Sequence, residues 1–381
     1  MTTTDLPLPT MRDRYGHARM PRRSSMPDPE RIERVLYGRF RNVYLYVTEA
    51  CQLRCEHCYM GERLTSARKM PMPQIAEWLT TWRRMGGSKV TILGGEPTLH
   101  PDFGDAVHYA NKLGFEDVIT TTNAQAPALR KLRKLGPEDF AYVQVSLDGG
   151  NAASHDTIRG QGTFDTALRT TAELTRRGFD TRIICTVNQA NKDDALRLLD
   201  VADELEVSLV KYHVFSTIGT GHLNASLAMT PPEWIEFCDI LQRVAPHYDT
   251  RVWYQPTYAR RDQMGRYAAE GYQGCVGRTL DRISVFPDGR AYVCSYLFDT
   301  PLNFAQMTDD QVTLNHGANE FDLFTSALAR SACGGCKSPA CLGGCPAEQA
   351  LTGTSSCAAY PDIVPVCRLW KTGAKPGTTI S

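Results

Sequence analysis

From Val43 onward the chain alternates two kinds of hydrophobic pattern. Short runs rich in β-branched and aromatic residues, at 43–47, 89–93, 118–122, 142–147, 182–187 and 209–215, predict strands. Amphipathic stretches lie between them; over 192–205, for example, Ala195, Leu198, Leu199, Ala202 and Leu205 share one helical face. Gly86, Gly114 and Gly178 close three such stretches as C-terminal caps. Six strands separated by five crossover helices predict an α/β fold with a parallel sheet and right-handed connections, and a further helix, Pro231–Val244, follows the sixth strand. Such a sheet either closes into a barrel or stays open as a doubly wound layer, and periodicity does not separate the two.

Residues 1–40 are rich in Arg, Pro and Ser without sustained period and read as a basic, extended arm. The 381 residues leave room for a large core and a second, smaller module. Lys plus Arg and Asp plus Glu are both 42, so no global field collects nucleic acid or an anionic membrane. No apolar run is long enough to span a bilayer, and Arg22-Arg23 leads into Pro27, Asp28, Pro29 and Glu30, not the apolar segment of an export signal. The thirteen cysteines cluster tightly: three at 51–58, eight between 275 and 367, and Cys185 and Cys238 apart. Without a signal peptide, reduced thiolates holding metal in the cytoplasm account for that pattern.

The first strand runs through Val47-Thr48-Glu49-Ala50 into Cys51-x3-Cys55-x2-Cys58. Three thiolates in a loop at the C-terminal end of a strand sit where parallel β/α folds place their chemistry. Three such ligands can hold three irons of a cubane and leave the fourth without a protein ligand. A structural zinc would want a fourth ligand, and His57 is too close within the same loop to supply it.

This loop resembles the signature of the radical SAM superfamily, whose open iron chelates the amino and carboxylate groups of S-adenosylmethionine (SAM). The resemblance implies a partial (β/α)6 TIM-like barrel. It places His57 where the family usually carries an aromatic residue near the adenine, and Gly94-Gly95-Glu96-Pro97 as the glycine-rich loop that meets the methionine ammonium. Asn123 borders the SAM pocket, the strand serine Ser146 contacts SAM, Arg159 contacts its carboxylate and Asn188 its ribose or adenine. Taken singly, Asp148 reads as a turn former, Arg159 as a surface cap and Asn188 as a loop initiator.

Further on, Val285 to Val293 reads as a hairpin around Asp288-Gly289, flanked by Cys275 and Cys294. Cys333-x2-Cys336-x4-Cys341-x3-Cys345, Cys357 and Cys367 follow, and eight cysteines equal two sets of four. Paired Cys-x2-Cys also belongs to zinc ribbons. The order is similar to the SPASM extension of radical SAM enzymes, with x4 here in place of the usual x5. The resemblance implies two auxiliary 4Fe-4S clusters, for three in all. Cys275, Cys294 and Cys345 would serve the inner one, Cys333, Cys336 and Cys341 the outer, with Cys357 and Cys367 completing them in an unsettled order. The expected organisation is an arm (1–40), a barrel (41–225), a helical bridge (226–270), a SPASM domain (271–370) and a tail (371–381).

The implied activity is reductive cleavage of SAM, with electrons from a flavodoxin- or ferredoxin-like donor, to a 5'-deoxyadenosyl radical that abstracts hydrogen from the substrate. A peptide or protein substrate follows from the SPASM resemblance, and a separate protein could recognise a leader because the arm does not look like the small winged-helix module that does so. Two alternatives stay open. One is oxidation or epimerisation of an aminocyclitol or sugar; the other is a non-catalytic iron-sulfur electron carrier, which has no need of an open-iron loop. Ser295 follows Cys294, where sulfatase maturases carry an aspartate base, so no catalytic base is assigned. Cys238 reads as core, and Cys185 faces either the barrel interior, where it would be placed to donate hydrogen, or the helices.

Overall fold

The computed structural model describes residues 40–254, 256–269 and 282–315, with residues 345, 347, 351, 360 and 362–365. The arm before residue 40, the tail, and Cys275, Cys333, Cys336, Cys341, Cys357 and Cys367 lie outside the described residues.

Six strands take the expected places: β1 (Asn42–Thr48), β2 (Lys89–Gly94), β3 (Asp117–Thr122), β4 (Tyr142–Ser146), β5 (Thr181–Val187) and β6 (Leu209–Val214). They lie side by side in chain order, every pair parallel. The connections carry α1 (Met72–Arg84), α2 (Phe103–Lys112), α3 (Ala126–Leu132), α4 (Ala152–Arg159), α5 (Thr163–Arg176) and α6 (Leu198–Glu204). In α1 the apolar positions Ile75, Trp78, Leu79 and Trp82 follow the helical period and are buried. β5 alternates as strictly: Ile183, Cys185 and Val187 are buried in the core, while Ile184 and Thr186 line a cavity on the other face.

β1 and β6 do not pair with each other. β6 takes β7 (Arg251–Tyr254) as a parallel neighbour, and β1 takes β9 (Arg282–Val285). Yet one cavity of about 300 Å³ is lined by Tyr46, Leu93, Thr121, Gln144, Thr186 and His213, one from each of β1 to β6. A flat sheet cannot present all six to one space, so the sheet curls into the partial barrel.

After β6 come the single turn α7 (Thr220–Leu223) and α8 (Pro231–Val244), the latter started by a capping box between Thr230 and Glu233. The expected helical bridge is not wholly helical: β7, β8 (Tyr258–Arg260) and α9 (Met264–Ala269) lie within 226–270, with β8 paired to β13 (Ile363–Pro365). β7 holds four residues, too few for alternation to announce it. The helix expected over 192–205 shortens to α6 because Asn188 and Asn191 bind nearby backbone and impose turns on 189–197.

The predicted hairpin is β9 with β10 (Arg290–Tyr292), turning at Gly289 with φ of 78°. β11 (Ala305–Thr308) and β12 (Gln311–Leu314) extend it antiparallel. Because β9 pairs with β1, this C-terminal segment continues the barrel sheet. Among the described residues no helix is long and apolar enough to cross a membrane.

Candidate active site

The cysteine loop is fixed at its root by the end of β2. Gly95 N donates to Thr48 O and Glu96 N to Ala50 O, both at 2.8 Å. A Cβ on Gly94 would lie 2.6 Å from Thr48 O, and one on Gly95 would lie 2.6 Å from Ala50 O and 2.8 Å from Glu49 O. Only bare backbone allows this approach, and both glycines also line the cavity. Above the loop, Thr220 N donates to Cys58 O at 2.8 Å, and Gly219, at φ of 64°, packs on the carbonyls of Cys58 and Tyr59. The segment after β6 thus roofs the loop.

Cys51, Cys55 and Cys58 all line the cavity. Burial pushes the Cys51 thiol up to about 11 and Cys55 to about 12, and raises Cys58 as well. Such thiols lose their protons only to a local positive charge, which bound metal supplies. Among the described residues no three His, Cys, Asp or Glu side chains converge on a single metal ion. Three donors already face sulfur: Leu53 N at 3.4 Å and Asn123 Nδ2 at 3.7 Å from Cys51, and Arg159 Nη1 at 4.0 Å from Cys55.

Arg159 is held from behind. α4 places His155 and Arg159 four residues apart, on one face, over Asp148. Arg159 Nε donates to Asp148 Oδ2 at 2.5 Å, Thr186 N donates to Asp148 Oδ1 at 2.7 Å, and Asp148 N donates to His155 Nδ1 at 3.0 Å. Burial would push Asp148 up, but the Arg159 guanidinium, then His57 and His155, hold it below the usual carboxylate range. Arg159 Nη2 donates to His57 Nε2 at 3.3 Å, leaving the proton of the neutral imidazole on Nδ1. Burial, above all, holds His57 down at about 4. Neither surface cap nor simple turn former describes Arg159 and Asp148: they are 9% and 0% exposed.

Of the other expected contacts, Asn123 and Ser146 line the cavity. Glu96 and Asn188 are not among its lining residues. The Glu96 carboxylate is 0% exposed and accepts from Thr98 N, Thr98 Oγ1, Thr122 Oγ1 and Asn123 N, so it clamps the glycine loop to the end of β3. Asn188 accepts from Ala190 N and donates to Thr186 O within its own turn. Cys185 belongs to the core face of β5, away from the cavity, and Cys238 is core in α8.

The C-terminal segment also reaches this site: Cys294, Ser295, Tyr296 and Cys345 line the same cavity. Tyr46 and Tyr59 hydroxyls meet at 2.5 Å, Tyr46 donates to Ser295 Oγ at 3.1 Å, and Ser295 meets Ser284 at 2.8 Å. Tyr59 follows Cys58 and Ser295 follows Cys294, so this hydroxyl chain joins the two cysteine regions. The sequence carried no signal for it, because its members lie 11 to 249 positions apart.

Residues 45–202 match the model of the radical SAM superfamily. The chain carries a radical SAM domain. That domain takes SAM and a 4Fe-4S cluster. The residues present fit them: His57 Nδ1 and Ser216 Oγ are buried without a hydrogen-bond partner in a cavity that both residues line. Ser216 was not singled out in the sequence. The chain is 27% identical over 345 residues to mycofactocin maturase MftC of Mycolicibacterium smegmatis, covering 87% of this chain and 84% of that one. It is 26% identical over 270 residues to the AdoMet-dependent heme synthase of Methanosarcina barkeri, covering 66% and 75%. Streptococcus suis SuiB bound to S-adenosylmethionine has the same fold, with a TM-score of 0.64 at 16% identity, covering 83% of this chain and 75% of SuiB.

Proposed function

We propose that this enzyme is a peptide-modifying maturase that couples SAM cleavage to oxidation of a precursor peptide. The observation that carries the reading is that Cys51, Cys55 and Cys58 share one cavity with Cys294 and Cys345. The relatives support it. MftC is named a maturase, and SuiB has also been solved with its precursor peptide SuiA, at a TM-score of 0.62 and 15% identity.

Cys51, Cys55 and Cys58 would hold the SAM-binding cluster. Bound there, cluster and SAM supply a 5'-deoxyadenosyl radical able to take hydrogen from an unactivated carbon. Gly94 and Gly95 expose backbone to the methionine end, Arg159 presents its fork from the Asp148 clamp, and Asn123, Ser146 and His57 line the rest. The roof over Cys58 and the curled sheet exclude water from the reacting carbon. Residues 271–370 would form the auxiliary domain, with Cys275, Cys294, Cys333, Cys336, Cys341, Cys345, Cys357 and Cys367 as ligands of two further clusters. Those clusters would take up the electron that a net two-electron oxidation leaves behind. A flavodoxin- or ferredoxin-like protein in the cytoplasm would supply the reducing electron, and a separate protein would grip the leader.

The test is to incubate the anaerobically reconstituted protein, SAM and dithionite with any short peptide encoded beside its gene. The expected product is a peptide lighter by two hydrogen atoms, formed alongside 5'-deoxyadenosine. An unaltered peptide, with turnover of an aminocyclitol or sugar instead, would overturn the peptide reading.

A further inference from the structure

Arg63 lies five residues beyond Cys58 and belongs to no motif of the sequence. It is 8% exposed, and its guanidinium meets three carboxylates: Nε with Glu49 Oε1 at 2.5 Å, Nη2 with Asp288 Oδ2 at 2.6 Å, and Nη1 with Asp299 Oδ1 at 2.8 Å. Its Cζ lies 4.9 Å from the ring centre of Phe286 and 5.3 Å from that of Phe298. Glu49 stands at the root of the Cys51 loop, whereas Asp288, Asp299 and both rings belong to the C-terminal segment that carries Cys294. All five donors of a guanidinium lie in one rigid plane, so three partners and two flanking rings fix it in place.

We propose that Arg63 is a positioning residue that sets the Cys294 turn, and any cluster bound there, against the Cys51 loop. This rests on the maturase reading above. The β1–β9 pairing fixes the strands but leaves the turns beyond them free to splay. Arg63, with the Tyr59–Tyr46–Ser295 hydroxyls, ties those turns together. Lysine cannot replace it, because an ammonium offers no planar fork. Arg63 itself does not line the cavity.

The experiment compares wild-type, Arg63→Met and Arg63→Lys proteins, each reconstituted with iron and sulfide, by hydrogen exchange, iron content and electron paramagnetic resonance of the reduced state. In Arg63→Met the amides of 284–299 should exchange about tenfold faster while those of β3 to β5 stay protected. Arg63→Lys should fall between. Iron should be retained, and the magnetic interaction between the first cluster and the one bound through Cys294 should weaken. Unchanged protection of 284–299, a uniform rise across all strands, or an unchanged magnetic interaction would each overturn the proposal. If Arg63→Met does not fold, Asp288→Asn removes one arm and should loosen the same amides to a smaller degree; full protection there would count against it equally. Wild-type protein with only one cluster's iron would refute the auxiliary clusters, while hydrogen exchange would still judge Arg63.

Discussion

Asp148 shows how far a single residue can depart from its local reading. As a residue after a strand, followed by Gly149, it looks like a turn former; in the fold it is the buried anion that holds Arg159. Its partner comes from eleven positions on, brought over it by a helix whose phase the sequence does carry. Asp148→Asn keeps an acceptor for Thr186 N but leaves Arg159 as an unpaired buried cation, at a cost of about 3 to 5 kcal/mol. SAM affinity should fall with it, roughly tenfold or more, while the cluster's iron remains.

The two histidines beside this pair predict an acid sensitivity. Burial, chiefly, holds His57 and His155 both near 4, against an ordinary 6.5. The unfolded chain therefore binds protons from about pH 6.5 downward while the folded chain waits until about pH 4. Stability is lost as pH falls through that window, on the order of 3 kcal/mol for each ring. Asp148, with its lowered value, contributes stability above the ordinary carboxylate range and loses it only at more acid pH. Urea midpoints of the iron-free protein at pH 7 and pH 5 should show the fall, and His155→Asn, which can keep an acceptor for Asp148 N, should lessen it. A flat wild-type profile over that range would contradict the burial of neutral imidazoles.

At the scale of elements, the glycine-rich loop was legible as a motif but not in its division of labour. Gly94 and Gly95 admit the root of the cysteine loop, and the Glu96 carboxylate sits in a clamp of four donors. Gly95→Ala should force the Cys51 loop off β2 at about 1 to 3 kcal/mol and reduce iron uptake at the first site. Glu96→Gln should be nearly as damaging as Glu96→Ala, because an amide turns a donor toward donors and leaves buried groups unsatisfied, at roughly 1 to 3 kcal/mol each. Thermal melts and iron content read both. A Glu96→Gln protein as stable as wild type would mean that the carboxylate is protonated or the clamp is not formed.

For the whole molecule, six strands and the position of the three-cysteine loop were legible because β-branched runs and helical phase are local signals. Curvature was not, since nothing local distinguishes a sheet that curls round a cavity from one that stays open. Neither was the addition of β9 to β1, whose partners lie 240 residues apart, from Asn42 to Arg282. That pairing brings the turn of Cys294 to the cavity, which Cys345 also lines, and with them the case for oxidation coupled to SAM cleavage.

The central claim is that Cys51, Cys55 and Cys58 hold the cluster that cleaves SAM, and it is tested most directly by measuring 5'-deoxyadenosine from reduced, reconstituted wild-type protein beside the variant with all three changed to Ala. Wild-type protein should form it, and the variant should form none while losing about four irons, one cubane's worth. Equal 5'-deoxyadenosine from both proteins would contradict the account.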